Sequence, residues 1–139
     1  GVTPAMAVTH AGAGSDYALG MLDGNDKPFD GAKTYKLHIP TNVPVNNFWA
    51  VTLYDTQTRC QLQTDQIFPT VGSQDKEIKK NADGSYDLYF GPKAPKGKEG
   101  NWLQTIPGKS WFSILRMYGP LEPWINKTWR PGEIKLVNE

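Results

Sequence analysis

Hydrophobic and polar residues alternate along much of this chain in the way that β-strands require. In residues 33–39, Tyr35, Leu37 and Ile39 alternate with Lys36 and His38, which predicts a strand with one buried face. Residues 48–54 and 111–118 are denser in apolar side chains and predict two strands that pair in the core. The segment PTNVPVNN precedes residue 48, and its prolines and asparagines predict a turn that makes residues 33–55 a hairpin.

Weaker patterns complete the predicted fold. Short strands are expected at residues 17–23, 58–62, 86–90, 102–106 and 133–137. Residues 63–72 are predicted to be irregular, with Ile67, Phe68 and Val71 turned inward. Residues 73–80 are predicted to form one helical turn capped by Ser73. About seven or eight short strands with turns between them indicate an all-β fold, an antiparallel, jelly-roll-like β-sandwich with at most one or two short helical turns.

Composition supports one domain of ordinary globular type. The chain has 139 residues, 38% of them hydrophobic and 21% charged, with a net charge of +1. This balance gives no electrostatic reason to bind nucleic acid, and no run of about 18 apolar residues predicts a membrane span. Residues 1–17 are small and polar and are expected to form an N-terminal arm or linker, with the single β-sandwich domain at residues 18–139.

Sequence motifs predict no metal site and no cofactor. The single Cys60 has no cysteine with which to form an internal disulfide, and His10 and His38 stand in no metal-ligand spacing. A GKS triplet ends at Ser110, but Leu103 occupies the position where a phosphate-binding loop needs its first glycine. The chain also starts at Gly1 without a methionine, which is compatible with a processed or truncated piece.

Aromatic and charged residues provide the candidates for a binding site. Trp49 and Trp111 fall within dense strands and are expected in the core. Trp124 and Trp129 stand beside prolines, and three roles are open for them: contact with a ligand, closure of one end of the sandwich, or contact with another subunit. Arg116 interrupts the apolar run WFSILRMY and needs a carboxylate partner if it is buried.

Several blocks of the sequence resemble a known, mostly bacterial protein family. The blocks are YKLHIPTNVPVNNFWAVTLYD, LQTDQIFPTVGSQ, NADGSYDLYFGPKAP, NWLQTIPGKSWFSILRMYGPLEPW and TWRPGEI, and together they span about residues 4–134. They resemble the C-terminal module of a family in which two domains of unknown function occur in tandem. The resemblance implies a jelly-roll-like sandwich preceded by a related N-terminal β domain. It also implies an exported, periplasmic or secreted protein, of which this chain is a fragment.

The favoured functional hypothesis is a binding or assembly module. Its partners are the N-terminal β domain of the same family or sister subunits in a homo-oligomer, and a small molecule or a glycan is a further candidate ligand. The candidate ligand-binding residues are Arg59, Asn101, Trp124 and Trp129. This hypothesis depends on the near-neutral charge, the absence of a catalytic motif and the concentration of tryptophan and proline in the last third of the chain.

An enzyme is the alternative hypothesis. Its site would be a polar pocket at one end of the sandwich that acts on a small anionic or sugar-like substrate. Asp65 is the candidate base, Tyr118 the candidate proton donor, and Arg59 and Arg116 the candidate clamps, with Asn101 nearby. An ion pair between Asp65 and Arg116 is the competing structural interpretation of those two residues.

Overall fold

In a computed structural model, the described part of the chain comprises residues 2–4 and 12–137, and it forms two β-sheets. The strands are β1 (Val2–Pro4), β2 (Ser15–Gly20), β3 (Phe29–Asp30), β4 (Tyr35–Ile39), β5 (Val45–Asp55), β6 (Thr70–Gly72), β7 (Tyr86–Gly91), β8 (Trp102–Gln104), β9 (Ser110–Pro120) and β10 (Ile134–Leu136). Two short helical elements accompany them, a 3-10 turn (Glu99–Asn101) and the helix α1 (Glu122–Ile125).

The two sheets differ in size. The larger sheet has the strand order β1-β2-β9-β5-β6, and β3 pairs with β9 beyond the end of β2. The smaller sheet has the order β10-β4-β7-β8. Neighbouring strands are antiparallel, except that β7 and β8 are parallel. The predicted all-β sandwich is therefore confirmed.

Strands β5 and β9 form the centre of the larger sheet. Their register runs from Phe48 opposite Tyr118 to Asp55 opposite Trp111, which confirms that the two dense strands pair with each other. Alternate residues of β5 turn toward the smaller sheet and are fully buried, as Trp49, Val51 and Leu53 show. The positions between them face the opposite side of the sheet.

An aromatic cluster forms one part of the core between the sheets. The rings of Phe29 and Trp111 stack with centroids 4.1 Å apart, and Phe90 stacks on the same indole at 5.0 Å. Tyr35 meets Trp111 edge to face at 5.6 Å and accepts a hydrogen bond from the Asp30 backbone at its hydroxyl. The two-residue strand β3 brings Phe29 into this cluster, although its segment is rich in turn residues.

The predicted hairpin at residues 33–55 is wrong. Strand β4 pairs with β7 and β10 in the smaller sheet, whereas β5 pairs with β6 and β9 in the larger one. The proline-rich connection therefore carries the chain from one sheet to the other. Each of the two strands pairs with an apolar strand from another part of the chain, and hydrophobic pattern alone does not specify which strands pair.

Three local predictions also need correction. Ile67 and Phe68 are 90% and 73% exposed, not inward, and only Val71 of that trio is buried. Residues 73–80 form turns, because the Ser73 hydroxyl accepts a hydrogen bond from the Trp49 backbone at 3.1 Å and is not available to cap a helix. In place of a strand at residues 58–62, a single bridge links Gln61 to Tyr54.

Candidate functional site

The outer face of the larger sheet is covered by aromatic and aliphatic side chains. Phe48 stacks on Tyr118 with ring centroids 4.2 Å apart, and Tyr54 stacks on Phe112 at 5.3 Å. These side chains alternate with core residues along their strands and are half-buried. We call this surface the aromatic face, and it consists of Tyr17, Leu19, Phe48, Tyr54, Phe112, Ile114, Arg116 and Tyr118.

Arg116 is the charged residue within the aromatic face. Its guanidinium lies over the Tyr17 ring, 5.8 Å from the centroid, in a cation–π contact. The interaction with the Tyr54 hydroxyl raises the pKa of Arg116 and outweighs the opposite effect of partial burial, so the side chain is a cation. The ion pairs found among residues 12–137 are Lys36–Asp87 and Lys109–Asp55, with His38–Asp87 a third when the histidine is protonated, and none of these involves Arg116.

An apolar protrusion lies beside the aromatic face. Leu53 donates a backbone hydrogen bond to Pro69, which places the exposed Ile67 and Phe68 next to the end of β5 that carries Tyr54. The preceding Gln66 fixes this loop to the smaller sheet, because its side-chain amide donates to the Trp102 carbonyl and accepts from the Gln104 backbone. The Gln66 side chain thus also satisfies hydrogen-bonding groups at the open edge of β8.

The outer face of the smaller sheet carries a cluster of charged side chains beside Tyr89 and Trp102, with Lys36 lying over the Tyr89 ring at 5.9 Å. His38 and Asp87 are directly paired across β4 and β7, and their side chains lie 2.8 Å apart between Nδ1 and Oδ1. Lys36 is 3.8 Å from the same carboxylate, and Asn81 donates to it at 3.1 Å. Burial acts to raise the pKa of Asp87, but the hydrogen bonds with His38 and Asn81 and the Lys36 charge lower it below its ordinary 3.8.

The two candidate tryptophans belong to the packed end of the sandwich. Trp124 is 7% exposed and donates its indole N–H to the buried Asp16 carboxylate at 3.0 Å. Trp129 is 9% exposed and donates to the Thr41 carbonyl at 3.1 Å, and the two indoles lie 6.2 Å apart. Of the three roles considered, closure of the sandwich end is the one that this geometry fits.

The other predicted site residues do not converge. Asp65 is exposed and exchanges two hydrogen bonds with Gln104, so it does not pair with Arg116. Asn101 is buried and is bonded through its amide to backbone groups of Lys79 and Asp87. Arg59 lies in an exposed turn with a positive φ of 62°. Arg116 and Tyr118 are brought together on the aromatic face, two residues apart on β9.

Residues 12–137 contain neither a cluster of metal-ligating side chains nor a membrane-spanning helix. Within that range no three histidine, cysteine, aspartate or glutamate side chains converge in a way that could hold a metal ion. Cys60 is an exposed free thiol. No helix in this part of the chain has the length and apolar character needed to cross a bilayer.

Comparison with protein families identifies relatives of this sandwich. A family model described as protein of unknown function (DUF1214) matches residues 14–122, which include strands β2 to β9 and the whole aromatic face. The chain belongs to the DUF1214 family. A comparison with curated proteins found no match.

Two solved structures share the fold of this DUF1214 domain. The VPA0106 protein from Vibrio parahaemolyticus is 27% identical with a TM-score of 0.76 over 89% of this chain and 31% of its own. An uncharacterised protein from Burkholderia cenocepacia is 15% identical with a TM-score of 0.55 over 95% of this chain and 34% of its own. The chain therefore spans about a third of the length of each.

Of the two surface clusters of the DUF1214 domain, sequence reasoning identified only Arg116 and Tyr118 of the aromatic face. The aromatic face was detectable in part, because the alternate positions Phe48 and Tyr54 on one dense strand and Phe112 and Tyr118 on the other are all aromatic. The contact between His38 and Asp87 had no such signal. It depends on the register between β4 and β7, which the sequence pattern alone does not specify.

Proposed function

We propose that this DUF1214 domain is a docking module that binds a partner β domain through its aromatic face. The observation that carries the proposal is the composition of that face, in which aromatic and aliphatic side chains surround one arginine. Tyrosine, phenylalanine and arginine are enriched at the centres of protein interfaces, whereas solvent-facing sheet surfaces are ordinarily polar. A contiguous apolar surface of this kind is a characteristic mark of an interaction site.

The relatives support a domain as the occupant. In both solved structures this fold accounts for about a third of the chain, 31% and 34%, so each carries about twice as much polypeptide again. Strand β1 pairs with β2 at one edge of the larger sheet, and a domain joined ahead of Val2 would meet the sandwich at that edge. The aromatic face is the neighbouring apolar surface.

The proposal includes the arrangement that the sequence resemblance implies. The DUF1214 domain would follow a related N-terminal β domain in a tandem, exported protein of bacterial type. The bacterial sources of the two solved relatives and their greater length are compatible with this arrangement. Cell fractionation of the source organism, with a periplasmic marker protein as reference, tests the exported location directly.

The enzyme alternative receives less support. Its five candidate residues are spread over the molecule: Asp65 is occupied by Gln104 and Asn101 by backbone groups. A general base and a proton donor must lie within hydrogen-bond reach of one substrate, and only Tyr118 and Arg116 share a surface. Those two residues belong to the aromatic face and are part of the docking proposal.

A matched pair of substitutions tests the docking proposal in the complete gene product. Ile114→Asp places a carboxylate at the middle of the aromatic face, whereas Tyr89→Asp places one on the outer face of the smaller sheet. Both are first made in the 139-residue chain, and circular dichroism checks that each folds. In the complete gene product we expect Ile114→Asp to undock the domains, because it replaces apolar contact area at the middle of the face with a charged side chain that docking would have to strip of water.

Undocking is measured by small-angle X-ray scattering and by thermal unfolding. The proposal predicts a larger radius of gyration and two separate unfolding transitions for Ile114→Asp, with Tyr89→Asp indistinguishable from the unmodified protein. Equal behaviour of the two variants contradicts it. A complete gene product with no further domain contradicts it as well.

A further inference from the structure

The positive charge of Arg116 at the centre of the aromatic face restricts the chemistry of a partner that can bind there. We propose that Arg116 forms a carboxylate-binding site and that its ligand is an aspartate or glutamate side chain of the docked partner domain. This inference rests on the proposed function and specifies the chemistry of the partner. It assigns a binding role to Arg116 together with Tyr17 and Tyr54.

The aromatic face offers no internal counter-charge to Arg116. The outward positions of β2, β5, β6 and β9 that surround it carry no acidic residue; they are Ser15, Tyr17, Leu19, Phe48, Ala50, Thr52, Tyr54, Thr70, Phe112, Ile114 and Tyr118. Asp30 is the acidic residue of β3, but it pairs with Ser110, six residues along β9 from Arg116. At about 3.3 Å per residue, that separation is roughly 20 Å, which is too far for an ion pair.

The surroundings hold the guanidinium without using all of its donors. A guanidinium carries about five N–H groups in a planar fork that fits a carboxylate at two points. Tyr17 contacts the cation with its ring, and Tyr54 with its hydroxyl. Neither contact neutralises the charge. Ala50 lies directly across from Arg116 on β5, and its small side chain leaves that side of the guanidinium open to an approaching group.

Docking makes a counter-charge necessary. A partner that covers the aromatic face removes water from Arg116, and burying an unpaired cation costs several kcal/mol in proteins. An acidic side chain on the partner offsets this cost and adds bidentate hydrogen bonds. The same feature selects the partner, because an apolar or basic surface would leave the arginine unpaired.

Zero-length cross-linking tests the inference in the complete gene product. A carbodiimide joins a lysine amine to a carboxylate that lies in contact with it. Arg116→Lys supplies the amine at the proposed site, and mass spectrometry of the digested protein identifies the carboxylate that is joined to it. The pairs Lys36–Asp87 and Lys109–Asp55, at 3.8 and 3.4 Å, are internal positive controls for the reaction.

A second variant protects the test against misfolding. If Arg116→Lys loses its circular dichroism spectrum, Ala50→Lys places an amine in the same row of the sheet and keeps Arg116. The expected result is a cross-link from position 116 or 50 to an aspartate or glutamate of the partner domain. Pre-treatment with high salt is expected to lower its yield, since the contact is ionic.

Three results would overturn the inference. The first is no cross-link at either position while the control pairs react and the domains remain docked, which leaves the proposed function intact. The second is a cross-link to an acidic residue in a second copy of the DUF1214 domain, recognised by mixing isotopically labelled and unlabelled protein. The third is undocked domains in the unmodified protein, in which case the proposed function fails together with the inference.

Discussion

The outer faces of the two sheets each hold a cation over a tyrosine ring, but they differ in whether that cation has an acidic partner. On the smaller sheet, Lys36 and His38 surround Asp87, so that opposite charges lie together in contact with water. On the larger sheet, Arg116 stands among tyrosines with no carboxylate in its surroundings. On both sheets the outward side chains alternate along the strand with side chains of one shared core. The difference between the two outer faces is therefore not a requirement of folding.

In our proposal, the contrast separates a surface whose charges are already paired from one that is completed by binding. Paired charges on an exposed sheet cost little to hydrate and resist pairing with another sheet. Stacked aromatic rings around an unpaired cation leave both apolar area and a charge to be satisfied by something else. The larger sheet is thus the side on which we place the partner.

The largest expected effect tests whether Trp124, at the packed end of the sandwich, is a structural residue. If Trp124 is a core residue, Trp124→Ala should destabilise the isolated domain by about 3–5 kcal/mol, through the cavity and the loss of the hydrogen bond to Asp16. Tyr118→Ala on the half-buried aromatic face should cost only about 1 kcal/mol. Urea unfolding of both variants makes the comparison, and equal losses would place Trp124 on the surface.

A smaller effect is expected from the charge cluster of the smaller sheet. Asp87→Asn should destabilise the isolated domain by about 1 kcal/mol at pH 7, because it removes the charge that binds Lys36 and His38. The pKa of Asp87 is lowered in the folded state, so its stabilisation is complete above the unfolded pKa and is lost as pH falls through the folded pKa.

The pH series for that variant therefore has a defined sign. Urea unfolding from pH 7 down to about pH 3 should show the difference between the proteins without and with Asp87→Asn constant at first and shrinking below about pH 4. Both proteins carry His38→Gln in this series, because His38 is bonded to Asp87 and its charge would not contribute equally to the two. Asp83 is present in both. A difference that grows as the pH falls would contradict this account of the cluster.

The smallest effect on stability is expected from substitution of Arg116 on the aromatic face. In the isolated domain, Arg116→Met should lower the free energy of unfolding by about 0.5 kcal/mol, because it loses an exposed cation–π contact with Tyr17 but no ion pair, and the aliphatic packing is kept. Thermal unfolding measures it beside Asp87→Asn. A loss clearly larger than that of Asp87→Asn would mean that Arg116 already has an acidic partner within the domain.

The sequence predicted the architecture better than the connections. Alternation and dense apolar runs identified β4, β5, β7, β9 and β10, since each strand buries one face. The partner of β4 could not be predicted, because β5 and β7 present equally suitable apolar faces to it. Ile67 and Phe68 were predicted inward from their apolar character, but Gln66 fixes their loop in a position that leaves both exposed.

The candidate site was predicted in one part only. Arg116 and Tyr118 were identified because an arginine within an apolar strand is unusual, and both lie on the aromatic face. The choice of Asp65 as its partner was wrong, since the loop directs that carboxylate to Gln104. Trp124 and Trp129 were predicted to be candidate binding residues because they stand beside prolines. In the structure their indole N–H groups are hydrogen-bonded within the fold.

Hydroxyl-radical footprinting tests the central claim most directly. The oxidation rates of Tyr17, Tyr54 and Tyr118 are compared between the 139-residue chain and the complete gene product, with Tyr89 of the smaller sheet as the reference. The account predicts several-fold slower oxidation of the three tyrosines in the complete gene product and an unchanged rate at Tyr89. An oxidation rate that is the same in both proteins at each of the four tyrosines, or slower oxidation of Tyr89 alone, would contradict it.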